Sequence, residues 1–134
     1  FPRSVRSWAQ SQSSNVKLIE QDLSDKKFSH FECDLILSAN LISQLTLPKR
    51  HHLRRSEVQE EHLNALKSSG VPCLGWTDVE RLYFEKKTGA LVEAEPTVFC
   101  SLPKSLSEWN WNLAPAPEWH REVDLVLKMH SFVC

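Results

Sequence analysis

An α/β fold, with a partly parallel sheet and antiparallel strands at its C-terminal end, is predicted by three stretches of this 134-residue chain. The first is residues 31–45, FECDLILSANLISQL. Its apolar run Leu35-Ile36-Leu37 is bounded by Cys33-Asp34 and by the small polar Ser38-Ala39-Asn40. A run that short reads as a buried strand, and Leu41, Ile42 and Leu45 after it predict that the strand opens straight into a helix. The second is a helix pattern over residues 56–68 followed by Gly70 and the apolar VPCLGW, which is the second half of a βαβ crossover. The third is a set of alternating runs in the last third of the chain, which predicts antiparallel pairing.

The length suits one domain with one core. Lys and Arg total 16 against 17 Asp and Glu, a net charge of −1, so charge gives no signal for nucleic acid or an anionic membrane. Apolar runs fall far short of the roughly 18–20 residues of a membrane span, and no basic-then-apolar leader is present. Cys33, Cys73, Cys100 and Cys134 lie far apart without a C-x-x-C pair. Three of them sit in apolar runs, so buried thiols in a reducing cytoplasm are expected rather than a disulfide frame or a zinc site. The chain opens on Phe1-Pro2, which predicts a processed or partial product.

In order, Val5, Trp8 and Ala9 suggest a weakly amphipathic helix over residues 1–14. Residues 16–22, VKLIEQD, alternate and predict a strand that closes on Asp22. Residues 23–29 form a polar connector. After the organising strand, Pro48 stops the helix that follows it. Ser56 and Gln59 form a capping box for the next helix, whose stripe is Val58, Leu63, Ala65 and Leu66, and Gly70 ends it. Runs 81–84 and 90–98 flank Glu85-Lys86-Lys87-Thr88-Gly89, with Gly89 in the left-handed position of a hairpin turn. Residues 109–113 alternate, Ala114-Pro115-Ala116-Pro117 is a stiff bend, and residues 123–133 form the last strand.

Taken together, residues 16–22 ending in an acid, the strand 34–40 running into Asn40-Leu41-Ile42-Ser43-Gln44-Leu45, the helix, Gly70, the strand 71–76 and the terminal pair resemble the class I S-adenosylmethionine-dependent methyltransferases. The resemblance covers nearly the whole chain and implies a Rossmann-like sheet in the order 3-2-1-4-5-7-6, with these strands as the third, fourth, fifth and last two. It implies the cofactor S-adenosyl-L-methionine, with Asp22 and Leu23 at its adenine and Ser38, Asn40 and Leu41 at its methionine end and the acceptor cleft. Ligands of open α/β sheets sit outside the carboxyl ends of the strands, which is where these residues fall. The chain departs from the family in its glycines: only Gly70, Gly75 and Gly89 are present, so it has no glycine-rich loop. It also lacks the acid that closes the family's second strand. The expectation is therefore one partial methyltransferase-like domain over residues 1–134, whose missing N-terminal sheet half comes from further residues or from another chain.

The expected activity is methyl transfer to an unidentified small-molecule or protein acceptor. The alternative is a non-catalytic methyltransferase-like scaffold or interaction domain. In an unrelated α+β fold, strands 16–22 and 34–40 would instead be direct neighbours. Trp109, Trp111 and Trp119 are candidates to line an acceptor pocket or to pack a terminal strand. His120, between Glu118 and Glu122, is the candidate base, although transfer to a good nucleophile needs alignment alone. Asp78 and Glu80 are read either as substrate contacts or as helix-start or turn acids. His51, His52 and His62 beside Arg50, Arg54 and Arg55 read as a basic surface patch rather than as metal ligands.

Overall fold

The computed structural model describes residues 32–116 and 118–134, together with Ser7 and Ser11, both helical. The remainder of the helix expected over 1–14, the strand 16–22, Asp22 and Leu23 lie outside the described residues. The elements are β1 (Ile36–Ala39), α1 (Arg55–Ser68), β2 (Cys73–Glu85), β3 (Leu91–Pro96), β4 (Ser105–Ala114) and β5 (Val123–Val133). They form an α/β fold around one mixed, partly parallel five-stranded sheet in the order β1-β2-β5-β4, with β3 also paired to β2.

The thirteen residues of β2 organise this sheet. Along one side β2 pairs antiparallel with β5, from Leu74↔Val133 to Glu85↔Val123. Along its other side it takes two partners end to end. Ile36–Ala39 pair parallel with Cys73–Trp76, and β3 pairs antiparallel with Glu80 to Phe84. The sequence reading divides β2 into a strand 71–76 and a separate run 81–84. In the structure they are continuous, because Thr77, Asp78 and Glu80 keep their places in the β5 ladder through a bulge at Val79. Gly89, at φ 69°, turns the β2–β3 hairpin, with its N–H donating to the Glu85 carbonyl at 2.8 Å.

The expected helix after β1 is replaced by a 3-10 turn, Gln44–Thr46. Asn40 takes a left-handed conformation, φ 50°, which bends the chain off the strand. The Leu45 N–H still reaches the Leu41 carbonyl at 3.1 Å, one helical turn. The Thr46 hydroxyl then donates to the Ser43 carbonyl at 3.1 Å, and extended Pro48 starts a second 3-10 turn, Lys49–His51. The strand itself is not buried on both faces. Leu35 and Leu37 are 52% and 59% exposed, and β1 has a sheet neighbour on one side only among the described residues. An apolar strand in that position is an uncovered edge.

Helix α1 starts at Arg55, one residue before the expected cap, with Arg54 as N-cap and no side-chain cap bond. Its N-terminal turn is held by ion pairs from Arg54 to Glu57 at 2.6 Å and to Glu61 at 3.4 Å. Gly70, at φ 71°, ends the segment as expected. The helix lays Leu63 against Ile42 and Phe132, with Val98, Cys100, Leu102 and Cys134 around them. Cys73 is buried as expected, whereas Cys33 is exposed because it precedes the sheet instead of lying in it.

Gly75 has a specific reason to be glycine. It sits opposite Phe132 in the ladder, and a Cβ there would overlap the phenyl ring. Gly75→Ala is expected to lower stability by about 1–3 kcal/mol in urea unfolding, with most of the loss recovered in the Gly75→Ala, Phe132→Leu double variant. His62, at α1's buried face, is held by burial down at about 4. The unfolded imidazole binds its proton near pH 6.5, so the folded chain holds fewer protons between these values. That contribution is complete above pH 6.5 and is lost as pH falls toward 4. The stability difference between the native chain and His62→Leu should therefore shift by about 3 kcal/mol between pH 7 and pH 4, read by denaturant melts at each pH.

Candidate functional site

The carboxyl end of β1 meets the end of β3 at the gap both leave along the edge of β2, opposite Thr77, Asp78 and Val79. Four segments are knitted there. Asn40 closes the parallel pair, its N–H donating to the Trp76 carbonyl at 2.7 Å, while its Oδ1 accepts from the Asp78 N–H at 3.0 Å. From the 3-10 segment, the Ser43 N–H donates to Thr77 Oγ1 at 3.3 Å and the Ser43 hydroxyl donates to Asp78 Oδ1. Beyond β3, the Thr97 hydroxyl donates to the Asp78 carbonyl at 2.8 Å and the Thr97 N–H to the Val79 carbonyl at 3.0 Å.

Gln59 of α1 reaches across and joins the two loops. Its Nε2 donates to the Ile42 carbonyl at 3.0 Å and to the Thr97 carbonyl at 2.8 Å, and its Oε1 accepts from the Phe99 N–H at 2.7 Å. Gln59, Ser43, Thr77 and Asp78 are all buried. Asp78 is 1% exposed, yet its Oδ2 has no hydrogen-bond partner among the described residues, and neither has Ser38 Oγ. Buried polar atoms are nearly always paired, so these two oxygens are the unused hydrogen-bonding capacity of this end of the sheet.

The predicted site residues divide into those at this joint and those elsewhere. Ser38, Asn40 and Leu41 fall at the end of β1. Ser38 is buried, Asn40 and Leu41 are half-buried, and Asn40 has its carbonyl oxygen already engaged. Asp78 and Glu80 lie within β2, neither in a turn nor at a helix start, which removes the reading of them as helix-start or turn acids. Trp111 lies on β4, paired with Leu127, two strands away from β2 in the β4-β5-β2 ladder, counting β2 itself as the second. His120 lies in the bend before β5, its Nδ1 accepting from the Glu122 N–H at 3.1 Å. β5 begins opposite Glu85, nine residues along β2 from Trp76 and so about 30 Å by strand rise. His120 and Trp111 are thus not brought to Asn40. Their neighbourhood is instead the outer end of the sheet, where Trp119 stands 5.5 Å from the Tyr83 ring and 6.0 Å from that of His120.

The basic patch is partly committed to structure. Arg54 is taken by Glu57 and Glu61, and the Arg55 guanidinium lies 5.2 Å from the centroid of the Phe99 ring. His51, half-buried, ends the second 3-10 segment and exposed His52 caps it, whereas His62 is buried in α1. Among the described residues no three His, Cys, Asp or Glu side chains converge to hold a metal, and no helix is long and apolar enough to cross a membrane.

The residues missed from sequence are Gln59 and Ser43. Read as half of a capping box, Gln59 occupies the helix N-terminus. In the structure Gln59, His62, Leu63 and Leu66 follow the three- and four-residue spacing of one buried face. A glutamine at an apolar stripe position is the signal that would have identified it. No family model matches the chain, and no match is found among the curated proteins or the solved structures compared with it.

Gln59→Leu would strip partners from the Ile42 and Thr97 carbonyls and from the Phe99 N–H. Each buried group left unpaired costs about 1–3 kcal/mol, so a loss of at least about 3 kcal/mol is expected, measured by urea unfolding followed through tryptophan fluorescence. Gln59→Glu, which turns an acceptor oxygen of a buried carboxylate toward the Ile42 and Thr97 carbonyls, should cost at least as much at neutral pH.

Proposed function

We propose that the chain carries the C-terminal half of a Rossmann-like α/β domain of the methyltransferase type. Within that class, the reading is a class I S-adenosylmethionine-dependent methyltransferase, moving a methyl group to an acceptor that is not identified. The observation that carries it is the strand order β1-β2-β5-β4, with β1 parallel to β2 and β5 antiparallel between β2 and β4. This corresponds strand for strand to the 4-5-7-6 portion of the sheet implied by the resemblance. The exposed apolar edge of β1 supports it too, since in that sheet the fourth strand has a further parallel neighbour.

The residues at hand fit one end of the cofactor only. Asp22 and Leu23, which would take the adenine, lie outside the described residues, and no glycine-rich loop is present. At the methionine and acceptor end, Asn40 is held in its left-handed turn by Asp78, so Nδ2 is the part of its amide left to donate to a ligand. Leu41 follows as half-buried apolar wall. Ser38 lies beneath, covered by protein, and serves the wall rather than the ligand. When bound, the cofactor supplies an electrophilic methyl on a sulfonium, displaced in line by the acceptor. The chain's part in that reaction is alignment, for which the rigid joint under Asn40 is suited.

A non-catalytic scaffold is the second reading. It is favoured by the closure of the polar joint, where Ser38 and Asp78 are both covered.

The test is calorimetric titration of S-adenosylhomocysteine into the complete gene product and into the 134-residue chain. The methyltransferase reading expects micromolar binding to the complete product, weakened about tenfold, or ~1.4 kcal/mol, by Asp22→Ala, and no heat with the 134-residue chain. No heat and no thermal shift with the complete product would leave the scaffold reading standing.

A further inference from the structure

The start of β2 and the end of the chain beyond β5 are joined by a reciprocal pair of backbone hydrogen bonds. The Cys73 N–H donates to the Cys134 carbonyl at 2.9 Å, and the Cys134 N–H donates to the Cys73 carbonyl at 3.0 Å. This exchange extends the Leu74↔Val133 register by one residue and makes the two cysteines a hydrogen-bonded antiparallel pair. In such pairs the Cα atoms stand about 5.5 Å apart, with both side chains on the same face. Disulfides bridge Cα separations of about 4.4–6.8 Å, most often near 5.5–6 Å. The backbone register thus already meets the main geometric demand of a cross-link. Both cysteines are thiols in the structure. The other two differ: Cys33 is exposed and outside the sheet, and Cys100 lies in the loop between β3 and β4.

We propose that Cys73 and Cys134 form a cross-strand dithiol that a small-molecule disulfide of the glutathione class oxidises to a disulfide, clamping the end of the last strand to the central one. This inference stands on the β2–β5 register and is independent of the methyltransferase reading.

The two sulfurs have unequal roles. Cys73 is fully buried, whereas Cys134 is only partly covered. Burial first, and then the neighbouring Cys134, push the Cys73 thiol up to about 12. Cys134 is therefore the entry point. It gives up its proton, and its thiolate attacks one sulfur of oxidised glutathione. The S–S bond breaks, one glutathione leaves and takes up that proton, and a mixed disulfide remains on Cys134. Cys73 then gives up its proton and attacks the Cys134 sulfur, and the second glutathione leaves as a thiol. In sum two protein thiols are oxidised and one glutathione disulfide is reduced to two glutathiones.

The link closes a loop of about 60 residues, from Cys73 round to Cys134. It also fixes the strand end that presents Phe132 to Gly75, so the wedge between β2 and β5 is locked from the side.

The test uses the chain with Cys33→Ser and Cys100→Ser, equilibrated in glutathione buffers of increasing oxidised fraction, acid-quenched, alkylated and weighed. The expected product is two hydrogens lighter, takes up no alkylating reagent, yields a linked Cys73–Cys134 peptide on digestion, and melts about 5 °C or more higher. The order of attack is tested by single replacements. Cys73→Ser should trap glutathione on Cys134, and Cys134→Ser should leave folded Cys73 unmodified. A stable glutathione adduct with both cysteines present, or two alkylated thiols at every buffer ratio, would overturn the proposal. If the double replacement fails to fold, the same peptide map on the native chain decides it, with linkage through Cys33 or Cys100 counting against the pair.

Discussion

Everything at the working end of this sheet depends on one side chain, the amide of Gln59. It bonds to both loops flanking the β1–β3 gap, with a donor to each loop and an acceptor for the second. A buried amide with three satisfied bonds in a low-dielectric setting is worth more for specificity than for net stability. Its directional bonds admit one position for Ile42 and one for Phe99. An apolar side chain of the same size would bury equally well and fix neither. Asn40 and Ser43, on either side of Ile42, are in turn fixed to Asp78, Asn40 through its Oδ1 and Ser43 through its hydroxyl.

The length of β2 sets the second constraint. A strand of thirteen residues paired to β5 throughout leaves its opposite edge to be shared, and neither β1 nor β3 is long enough to fill it alone. Two short partners must therefore end near its middle, where backbone groups would go unpaired without help. The side chains of Asn40 and Thr97 meet that need at Asp78, and the Thr97 N–H does so at Val79. The bulge at Val79 in the β5 ladder sits at the same level, so both edges of β2 adjust together. The polar residues there are the consequence of a change of partner along one strand edge.

The sequence was informative where a single local rule decides the outcome. Val123–Val133 as a strand, Gly89 as the hairpin turn and Gly70 as the helix stop each follow from alternation or from a positive φ, and each is found. It misled where tertiary geometry outranks pattern. The apolar residues after Asn40 carry a helical spacing, but Asn40 turns the chain and Pro48 ends it within two turns, so only a 3-10 segment survives. Leu35 and Leu37 read as buried because they are apolar, while burial of a strand depends on what lies beside it. Of the candidate site, Asn40 was legible from its position at a strand end. Gln59 was not, since Ser-x-x-Gln is equally a cap motif and the start of a buried face. Trp111 and His120 were grouped with Asn40 by residue chemistry alone, and only the register of β2 against β5 shows how far along the sheet they stand.

That separation gives the outer end of the sheet its own character. Beyond Trp76 the sheet continues without β1, built from the second half of β2 with β3, β5 and β4. The bend that closes it is fastened by Lys86 Nζ donating to the Ala116 carbonyl at 3.0 Å and by the Ala116 N–H donating to Asp124 Oδ1 at 2.7 Å. This extension stands past the carboxyl end of β1. β3 is exposed throughout and carries Glu93 and Glu95, the latter within 3.9 Å of Arg81 and 3.3 Å of the Tyr83 hydroxyl. Through Thr97 and Asn40, the buried Gln59 and Asp78 tie the segment that follows the β2–β3 hairpin to the end of β1.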